Sequence, residues 1–302
     1  MILARNLLHT KKMMLNYRCL VRWGWVVHAF SVNMLLAVLV WLTAGLLLST
    51  PAFSATAKQE DGAALAQRIY DRADGKDLST RAMMMLTEKG HSPRKRNLFT
   101  YAIDLGKGEK WSLTRFTKPT DIDGTGLLTK DHSGGDSDQK LYLPALDKVR
   151  RIVSSRKGGR FVGSDLFYED LRDREVDMDH HRLAGKGKAG GQMCDILIST
   201  PVDPENSVYS KRVGWIHPKT LVPLRIDYYK KNRKKPIKRM RVRKLKKIQG
   251  YWTVLDSIMY DLKTGHKTRI VTKAVKYDQG IPAALFSDQA LADDSRERRF
   301  RP

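Results

Sequence analysis

Carboxylates and imidazoles gather in one short stretch of this sequence. The stretch contains Asp173, Asp177, Asp179, His180 and His181. Side chains of these types bind divalent metals, so the stretch is the strongest candidate for a metal-dependent hydrolase. However, no H-E-x-x-H or comparable spacing is present, and the stretch runs into a glycine-rich segment. The spacing favours a solvated connection between elements, and we expect no metal site and no catalytic residue here.

The other reactive side chains do not form a catalytic signature. Ser164 and His217 supply a hydroxyl and an imidazole, but no G-x-S-x-G elbow is present to activate a serine. The pair Gly158-Gly159 is too short and too isolated to cradle a phosphate. Cys194 lies in a strand-like apolar run, where a buried small hydrophobe is expected. We therefore expect a protein that is not an enzyme and carries no cofactor.

Residues 1–57 have the composition of a signal peptide. Five basic residues and no acidic ones precede a long charge-free run that starts at Trp23. Small residues follow Pro51, and Ala55-Thr56-Ala57 fits the A-x-A cleavage pattern, so cleavage is expected near Ala55 or Ala57. The alternative is an uncleaved inner-membrane anchor, because the run exceeds the ~20 residues that span a bilayer. Both interpretations export the chain, and the periplasm is the expected location.

The chain is strongly basic, with a formal net charge of +24. A cytoplasmic protein with this charge would suggest nucleic acid. An exported protein instead meets phospholipid headgroups and acidic protein patches, so we expect no nucleic-acid partner.

The elements that must position any site form an α+β pattern. One helix is predicted from Asp61 to Ala73, and strand-like runs follow from Ala82 to Tyr277. A short helical insertion is predicted over 163–172 and a mobile glycine-rich loop over 184–191. The folded domain is expected to cover residues 58–291, followed by a disordered basic tail over 292–302.

The strand pattern predicts a large curved sheet. We expect a half-barrel of about 11 antiparallel strands, with helices covering its concave side. The run from Tyr251 to Leu262 is apolar on both faces, as a sheet with a helix layer on one side and a ligand groove on the other requires. A two-layer sandwich is the alternative. The residues predicted to line an apolar cavity are Phe116, Leu127, Tyr142, Trp215, Trp252, Val254, Ile258 and Tyr260.

Three phrases in the first half of the chain resemble a known family. The first is Arg115-Phe116 with Pro119 and Gly124-Thr125-Gly126; the second is Tyr142 to Leu146 leading into Arg150-Arg151-Ile152; the third is Gly163-Ser164-Asp165 followed by Tyr168-Glu169-Asp170. In order and spacing they resemble the LolA-like outer-membrane lipoprotein-sorting proteins, over about Leu65 to Phe286. The resemblance implies a curved antiparallel half-barrel whose apolar cavity accepts acyl chains.

The resemblance also implies a function. Such a protein would be a periplasmic carrier of lipid or lipoprotein acyl chains, serving lipoprotein sorting or a membrane transporter of the resistance-nodulation-division type. A regulatory module that senses lipid or lipoprotein needs the same groove and stays an alternative; the metal-dependent hydrolase is the weaker one. The motif residues are expected to hold the fold, with the arginines pairing to Asp165 or Asp170; a role in docking a partner is the alternative. They are Arg115, Pro119, Gly124, Pro144, Arg150, Arg151, Gly163, Asp165 and Asp170.

The chain departs from the family pattern in its charge. The segment from Lys230 to Lys247 contains twelve Lys or Arg residues and no acidic residue. A solvated strand face with a lysine-rich turn is one interpretation. The more specific interpretation is a docking surface for an anionic membrane, where each cation contributes about 1 kcal/mol to the binding free energy. Its predicted members are Lys234, Lys235, Lys238, Arg239, Arg241 and Arg243.

Overall fold

Thirteen antiparallel strands form one open sheet in the part of the chain that the structure describes. The structure is a computed structural model that describes residues 54–134, 137–153 and 157–302, with side chains from residue 62 onwards. Across the sheet the strand order is β6-β5-β4-β3-β2-β1-β13-β12-β11-β10-β9-β8-β7. The strands are β1 Asp77–Thr87, β2 Arg94–Asp104, β3 Lys110–Lys118, β4 Gly126–Asp131, β5 Asp138–Leu143, β6 Lys148–Arg151, β7 Asp179–Ala189, β8 Gln192–Pro201, β9 Lys211–Ile216, β10 Pro223–Tyr229, β11 Lys238–Ile248, β12 Tyr251–Asp261 and β13 Lys267–Tyr277.

The sheet corrects two expectations. It has thirteen strands rather than about eleven, chiefly because β7 occupies the segment expected to be a charged connection and a mobile loop. The two-layer sandwich is also wrong, because all the described strands belong to a single sheet.

Two helices and several short 3₁₀ turns complete the described residues. Helix α1 spans Ser54–Tyr70 and helix α2 spans Asp288–Ala292. Helix α1 therefore begins seven residues before its predicted start at Asp61 and ends three before Ala73. Most of the predicted signal peptide, residues 1–53, lies outside the described residues. Within them no helix combines the length and the apolar composition that crossing a bilayer requires.

The strand order explains how one face of the sheet becomes covered. Strands β6 and β7 follow each other in the chain but lie at opposite edges of the sheet. The segment that joins them, residues 152–178, therefore has to cross the whole sheet. It contains 3₁₀ turns at Phe161–Gly163 and Tyr168–Leu171, where a short helix was expected. We call residues 157–178 the crossing segment and the face that it covers the inner face.

Strand register assigns the inner face residue by residue. Directly opposite positions on neighbouring strands share one face of a sheet. One such row runs Leu183, Leu197, Gly214, Ile226, Met240, Met259, Thr268 and Leu86, from β7 to β1. Phe161 and Tyr168 of the crossing segment pack against the same face further along, on Leu98, Phe116 and Leu127. Helix α1 covers the face at β7 and β8, through Leu65 and Ala66.

The C-terminal segment packs on the outer face, against the expectation of a disordered tail. Ile281, Leu285, Phe286 and Leu291 form a core with Tyr101, Leu113 and Leu128 of β2–β4. A 3₁₀ turn at Asp294–Phe300 adds the buried Phe300 to this core. The predicted arrangement, with helices on one side only, is therefore incomplete. Helix α1 lies on the inner face, whereas α2 lies on the outer face.

Candidate functional site

A cavity of about 430 Å³ lies between α1, the crossing segment and the inner face of β7–β10. Ligand sites in proteins typically enclose about 300–1,000 Å³, so the cavity is large enough for a small amphiphile. Its apolar lining comes from all three elements: Ala66, Ile69, Val176, Leu197, Ile216 and Ile226. Gly214 lies between Leu197 and Ile226 in the inner row, and its missing side chain leaves the floor of the cavity open there.

Charged side chains surround the apolar lining and are paired with one another. Arg212 donates to both carboxylate oxygens of Asp179 at 2.8 and 2.7 Å and lies 3.4 Å from Glu169. Arg174 binds the same Asp179 carboxylate at 3.2 Å. The charged groups of the wall near β7 and β9 therefore neutralise one another. The wall can form hydrogen bonds with a polar group of a ligand, but it has no strong net charge of either sign.

Next to this wall, a buried lysine of β11 holds the crossing segment on the sheet. Lys238 Nζ lies 2.5 Å from Asp170 Oδ2 and donates to the Tyr209 hydroxyl at 2.8 Å. It also sits 3.6 Å from the centre of the Phe167 ring. Burial lowers the pKa of Lys238 and the adjacent Asp170 carboxylate opposes that shift. Only 2% of the Lys238 side chain is exposed, so its prediction as a membrane-docking residue is wrong.

A second cavity, of about 320 Å³, adjoins the first on the inner face of β1–β3. The two share Asp74, Lys110 and Asp173 among their lining residues. Lys110 Nζ lies 2.9 Å from Asp173 Oδ2 and 4.5 Å from the centre of the Tyr70 ring, at the boundary between them. Burial lowers the pKa of Lys110, but the carboxylates of Asp173, Asp74 and Asp104 together raise it above its usual value. The boundary between the cavities is thus a charged ion pair.

The second cavity also holds an unusual carboxyl group. Burial raises the pKa of Asp131 to about 6, although the Ser137 hydroxyl and the Asp173 amide donate hydrogen bonds to it and act in the opposite direction. Asp131 lies on β4 directly opposite Lys110 of β3. A group that titrates near pH 6 therefore lies beside the ion pair at the boundary.

None of the eight residues predicted to line an apolar cavity lines either of these cavities. Phe116 and Leu127 are on the inner face, but Phe161 and Tyr168 cover them completely. Tyr142 lies near the C-terminal segment, and its hydroxyl donates to Asp147 at 2.9 Å. The other five lie on the outer face: Trp215, Trp252, Val254, Ile258 and Tyr260.

The sequence could not identify the inner face of β12, because this strand is apolar on both faces. Met259 and Leu255 point inward, whereas Ile258 and Val254 point outward. Strand β9 did carry a signal, because Gly214 interrupts its apolar residues. A strand that packs in a continuous core would have a larger apolar side chain at that position.

The family-motif arginines make ion pairs different from those predicted. Arg115 is buried, binds Glu297 at 3.2 Å and donates to the carbonyls of Ala290 and Leu291 at 2.9 and 2.8 Å. Arg151 pairs with Asp138 at 2.9 Å. The predicted pairing of these arginines with Asp165 or Asp170 is therefore wrong.

The remaining motif residues lie at turns and in the crossing segment. The Asp165 carboxylate accepts a hydrogen bond from the Thr268 hydroxyl at 2.8 Å and lies 2.5 Å from His266, so it joins the crossing segment to β13. Gly124 and Gly163 have positive φ angles of 77° and 70°, which glycine adopts without strain. Pro119 precedes and Pro144 begins a 3₁₀ turn, and Arg150 is exposed on the edge strand β6.

The metal-site candidates make other contacts. Asp179 belongs to the arginine network, and His181 contacts the Ser199 hydroxyl at 3.0 Å and the Val176 carbonyl at 2.9 Å. Asp173 pairs with Lys110. Across residues 54–134, 137–153 and 157–302, no three His, Cys, Asp or Glu side chains come together in a group that could hold a metal ion.

Four of the six predicted docking residues are exposed. Lys234 and Lys235 are exposed in the turn between β10 and β11, and Arg241 and Arg243 are exposed on β11. Arg239 is half-buried and binds Asp227 at 2.6 Å.

Comparison with known proteins identifies the fold and the family. A family model described as an uncharacterized protein matches residues 108–293. A DUF1329 family protein from Desulfovibrio piger is 33% identical, with a TM-score of 0.74 over 78% of this chain and 99% of that one. A domain provisionally assigned to outer-membrane lipoprotein sorting, from Vibrio parahaemolyticus, is 29% identical, with a TM-score of 0.73 over the same shares.

A more distant structure has the same fold. A LolA superfamily protein from Nitrosomonas europaea has a TM-score of 0.60 at 16% identity, over 77% of this chain and 99% of that one. No curated protein sequence matches the chain at a significant level. The resemblance inferred from the three sequence phrases is confirmed. This chain therefore belongs to the DUF1329 family of LolA-like proteins.

Proposed function

We propose that this protein is an exported periplasmic carrier that holds the acyl chains of a lipid or lipoprotein in the cavity between α1 and the inner face. The observation that carries the proposal is the apolar floor of that cavity. Leu197, Ile216 and Ile226 come from three neighbouring strands, and Ile69 of α1 faces them.

The energetics of the cavity suit a carrier. Removing acyl chains from water gains about 0.8 kcal/mol per methylene, so an apolar pocket alone supplies substantial affinity without any chemistry. The paired charges of Arg174, Arg212 and Asp179 lie beside the apolar floor, where they can interact with a polar headgroup. The lipoprotein-sorting assignment of the Vibrio parahaemolyticus relative supports the same class of cargo.

The proposal includes export and a membrane partner. Residues 1–57 would act as the signal peptide and residues 58–291 as the carrier domain, to which the packed C-terminal segment belongs. The carrier would serve outer-membrane lipoprotein sorting or a transporter of the resistance-nodulation-division type.

Native mass spectrometry of protein purified from the periplasm tests the proposal. We expect a co-purifying ligand with an acyl chain in the wild-type protein. Gly214→Met should abolish it, because the new side chain enters the cavity; its Cβ would lie 3.2 Å from the flexible end of Ile216 and at an ordinary contact distance of 3.9 Å from the Leu197 carbonyl oxygen. A melting temperature close to that of the wild-type protein would show that the fold of the variant is intact.

Ile198→Met is the matched control. Ile198 lies on β8 opposite Val213, on the outer face, and the exchange nearly conserves volume. The control should keep its ligand. An empty wild-type protein that also fails to bind added fatty acid, or a folded Gly214→Met variant with full ligand occupancy, would overturn the proposal.

A further inference from the structure

Arginine side chains dominate the outer face of β10–β13, behind the cavity. Directly opposite positions on neighbouring strands run Trp215, Arg225, Arg241, Ile258 and Arg269. Neighbouring strands are only about 4.8 Å apart, and like charges directly opposite each other destabilise a sheet. The pairing of Arg225 with Arg241 is therefore unfavourable unless negative charge lies nearby.

Two carboxylates of the chain supply part of that negative charge. Asp227 binds Arg225 at 2.5 Å and Arg239 at 2.6 Å. Asp256 binds Arg269 at 2.5 Å and lies 3.9 Å from Arg243. No described carboxylate lies within ion-pair distance of Arg241. We call Arg225, Arg239, Arg241, Arg243 and Arg269 the arginine face, which has five cations around two anions.

The positive charge extends beyond the arginine face in both directions along β11. Toward the turn before β11, four exposed cations follow one another closely: Lys231, Arg233, Lys234 and Lys235. In the other direction, Lys244 and Lys247 are exposed on β11, opposite Asp256 and Trp252 respectively. The surface as a whole thus has a large excess of positive charge.

The shape and the aromatic residues of this surface favour a membrane over a protein partner. Neither cavity opens on the arginine face, which is the side of a sheet rather than a groove for a peptide. Trp252 is 38% exposed beside Lys247, and Arg225 stacks 3.9 Å from the centre of the Trp215 ring. Tryptophan beside basic residues is typical of surfaces that lie at the boundary between lipid and water.

We propose that the arginine face and the adjoining cations of β11 bind the surface of a membrane that contains anionic phospholipid. Lipid phosphates then supply the negative charge that Arg241 lacks and that Asp227 alone provides to Arg225. The cavity lies on the opposite face of the sheet, so docking and cargo binding use separate surfaces. Docking does not depend on the proposed carrier function, and the protein without cargo should dock equally well.

Co-sedimentation with lipid vesicles tests this proposal. We expect binding to vesicles of phosphatidylcholine with phosphatidylglycerol, little binding to pure phosphatidylcholine, and loss of binding as the salt concentration rises. The variant Arg241→Gln/Lys244→Gln/Lys247→Gln should bind the acidic vesicles about a hundredfold more weakly, since each cation near an anionic surface contributes about fivefold.

A second triple variant separates a local surface from net charge. Lys107→Gln/Lys148→Gln/Lys219→Gln removes the same charge from exposed positions on other strands and turns, and it should bind almost as well as the wild type. Equal losses in both variants, or equal binding of the wild type to neutral vesicles, would overturn the proposal. Acyl-ligand occupancy, measured in the same preparations, should be unchanged in both, so a failure of the carrier function would be visible independently.

Discussion

At the scale of single residues, two buried charged side chains hold the crossing segment and the C-terminal segment in place. Lys238 and Arg115 are both buried, and each binds a carboxylate from a segment far away in sequence. Breaking one partner of such a pair typically costs about 3–5 kcal/mol, because the other charge stays buried without compensation. The sequence shows that these residues are charged, but their partners follow only from the fold.

Asp131 makes folding stability depend on pH. Its pKa is about 6 in the folded protein and 3.8 for an ordinary aspartate, so the fold favours the protonated form. The stabilisation is complete below about pH 4 and is lost as the pH rises through 6, in total about 3 kcal/mol. Asp131→Asn is neutral at every pH, and its amide can still donate to Ser137 and accept from the Asp173 amide.

We therefore expect Asp131→Asn to match the wild-type free energy of unfolding near pH 4 and to exceed it at pH 7. Urea denaturation at a series of pH values measures the difference. A constant gap between the two proteins from pH 4 to pH 7 would show that this carboxyl is not the titrating group.

At the scale of elements, the sequence predicted the strands that have local signals and missed what depends on distant contacts. The sequence predicts strands from Lys110 to Thr117 and from Lys267 to Tyr277, and β3 and β13 begin and end within one residue of those limits. Strand β7 was missed because Gly185, Gly187 and several charges obscure its pattern, and it forms through pairing with β8. The basic C-terminal tail was expected to be disordered, but Arg115 binds Glu297 across 182 residues.

Helix α1 lies so close to β7 that only glycine fits at one position. A Cβ built on Gly62 would be 2.7 Å from Arg182 Cα and 2.7 Å from the His181 carbonyl oxygen, which are both backbone atoms. Helix propensity alone predicts that Gly62→Ala stabilises the protein by about 1 kcal/mol. We expect the reverse, a loss of about 1–3 kcal/mol, because the helix has to move away from the strand.

Denaturant unfolding and hydrogen exchange of the α1 amides measure the effect of Gly62→Ala. Exchange should accelerate throughout α1, and the co-purifying ligand should decrease, since α1 forms one wall of the cavity. Ala63→Ser, at an exposed position of the same helix, serves as the control and should change neither. A stabilised Gly62→Ala protein would contradict the close packing of α1 on β7.

At the scale of the whole molecule, the family could be predicted from the sequence and the site could not. The three motif phrases identify turns, a buried arginine and the crossing segment, which together define the fold. The cavity depends on which face of the sheet α1 and the crossing segment cover. Strand β12 does not carry that information, because it is apolar on both faces.

The described tryptophans offer a direct test of which face binds the ligand. Trp215 and Trp252 lie on the outer face and were both predicted from the sequence to bind ligand. The ring of Trp111 packs on Phe286 of the C-terminal segment, and this residue borders the smaller cavity but not the larger one. Tyr70 lines the larger cavity. A brominated fatty acid quenches only the tryptophans that it contacts. It should therefore leave the native fluorescence of periplasmic protein nearly unchanged and strongly quench the added fluorescence of Tyr70→Trp.

The control for this experiment is Tyr229→Trp, on β10. Tyr229 follows the cavity-lining Tyr228 and points to the outer face, so its added fluorescence should persist. Quenching of Trp215 and Trp252 in the wild-type protein would instead place the acyl chain on the outer face. That result would also contradict the proposed membrane-binding surface, because the acyl chain would then occupy the same part of the outer face as these two tryptophans. A single titration thus separates the two faces of the sheet by function.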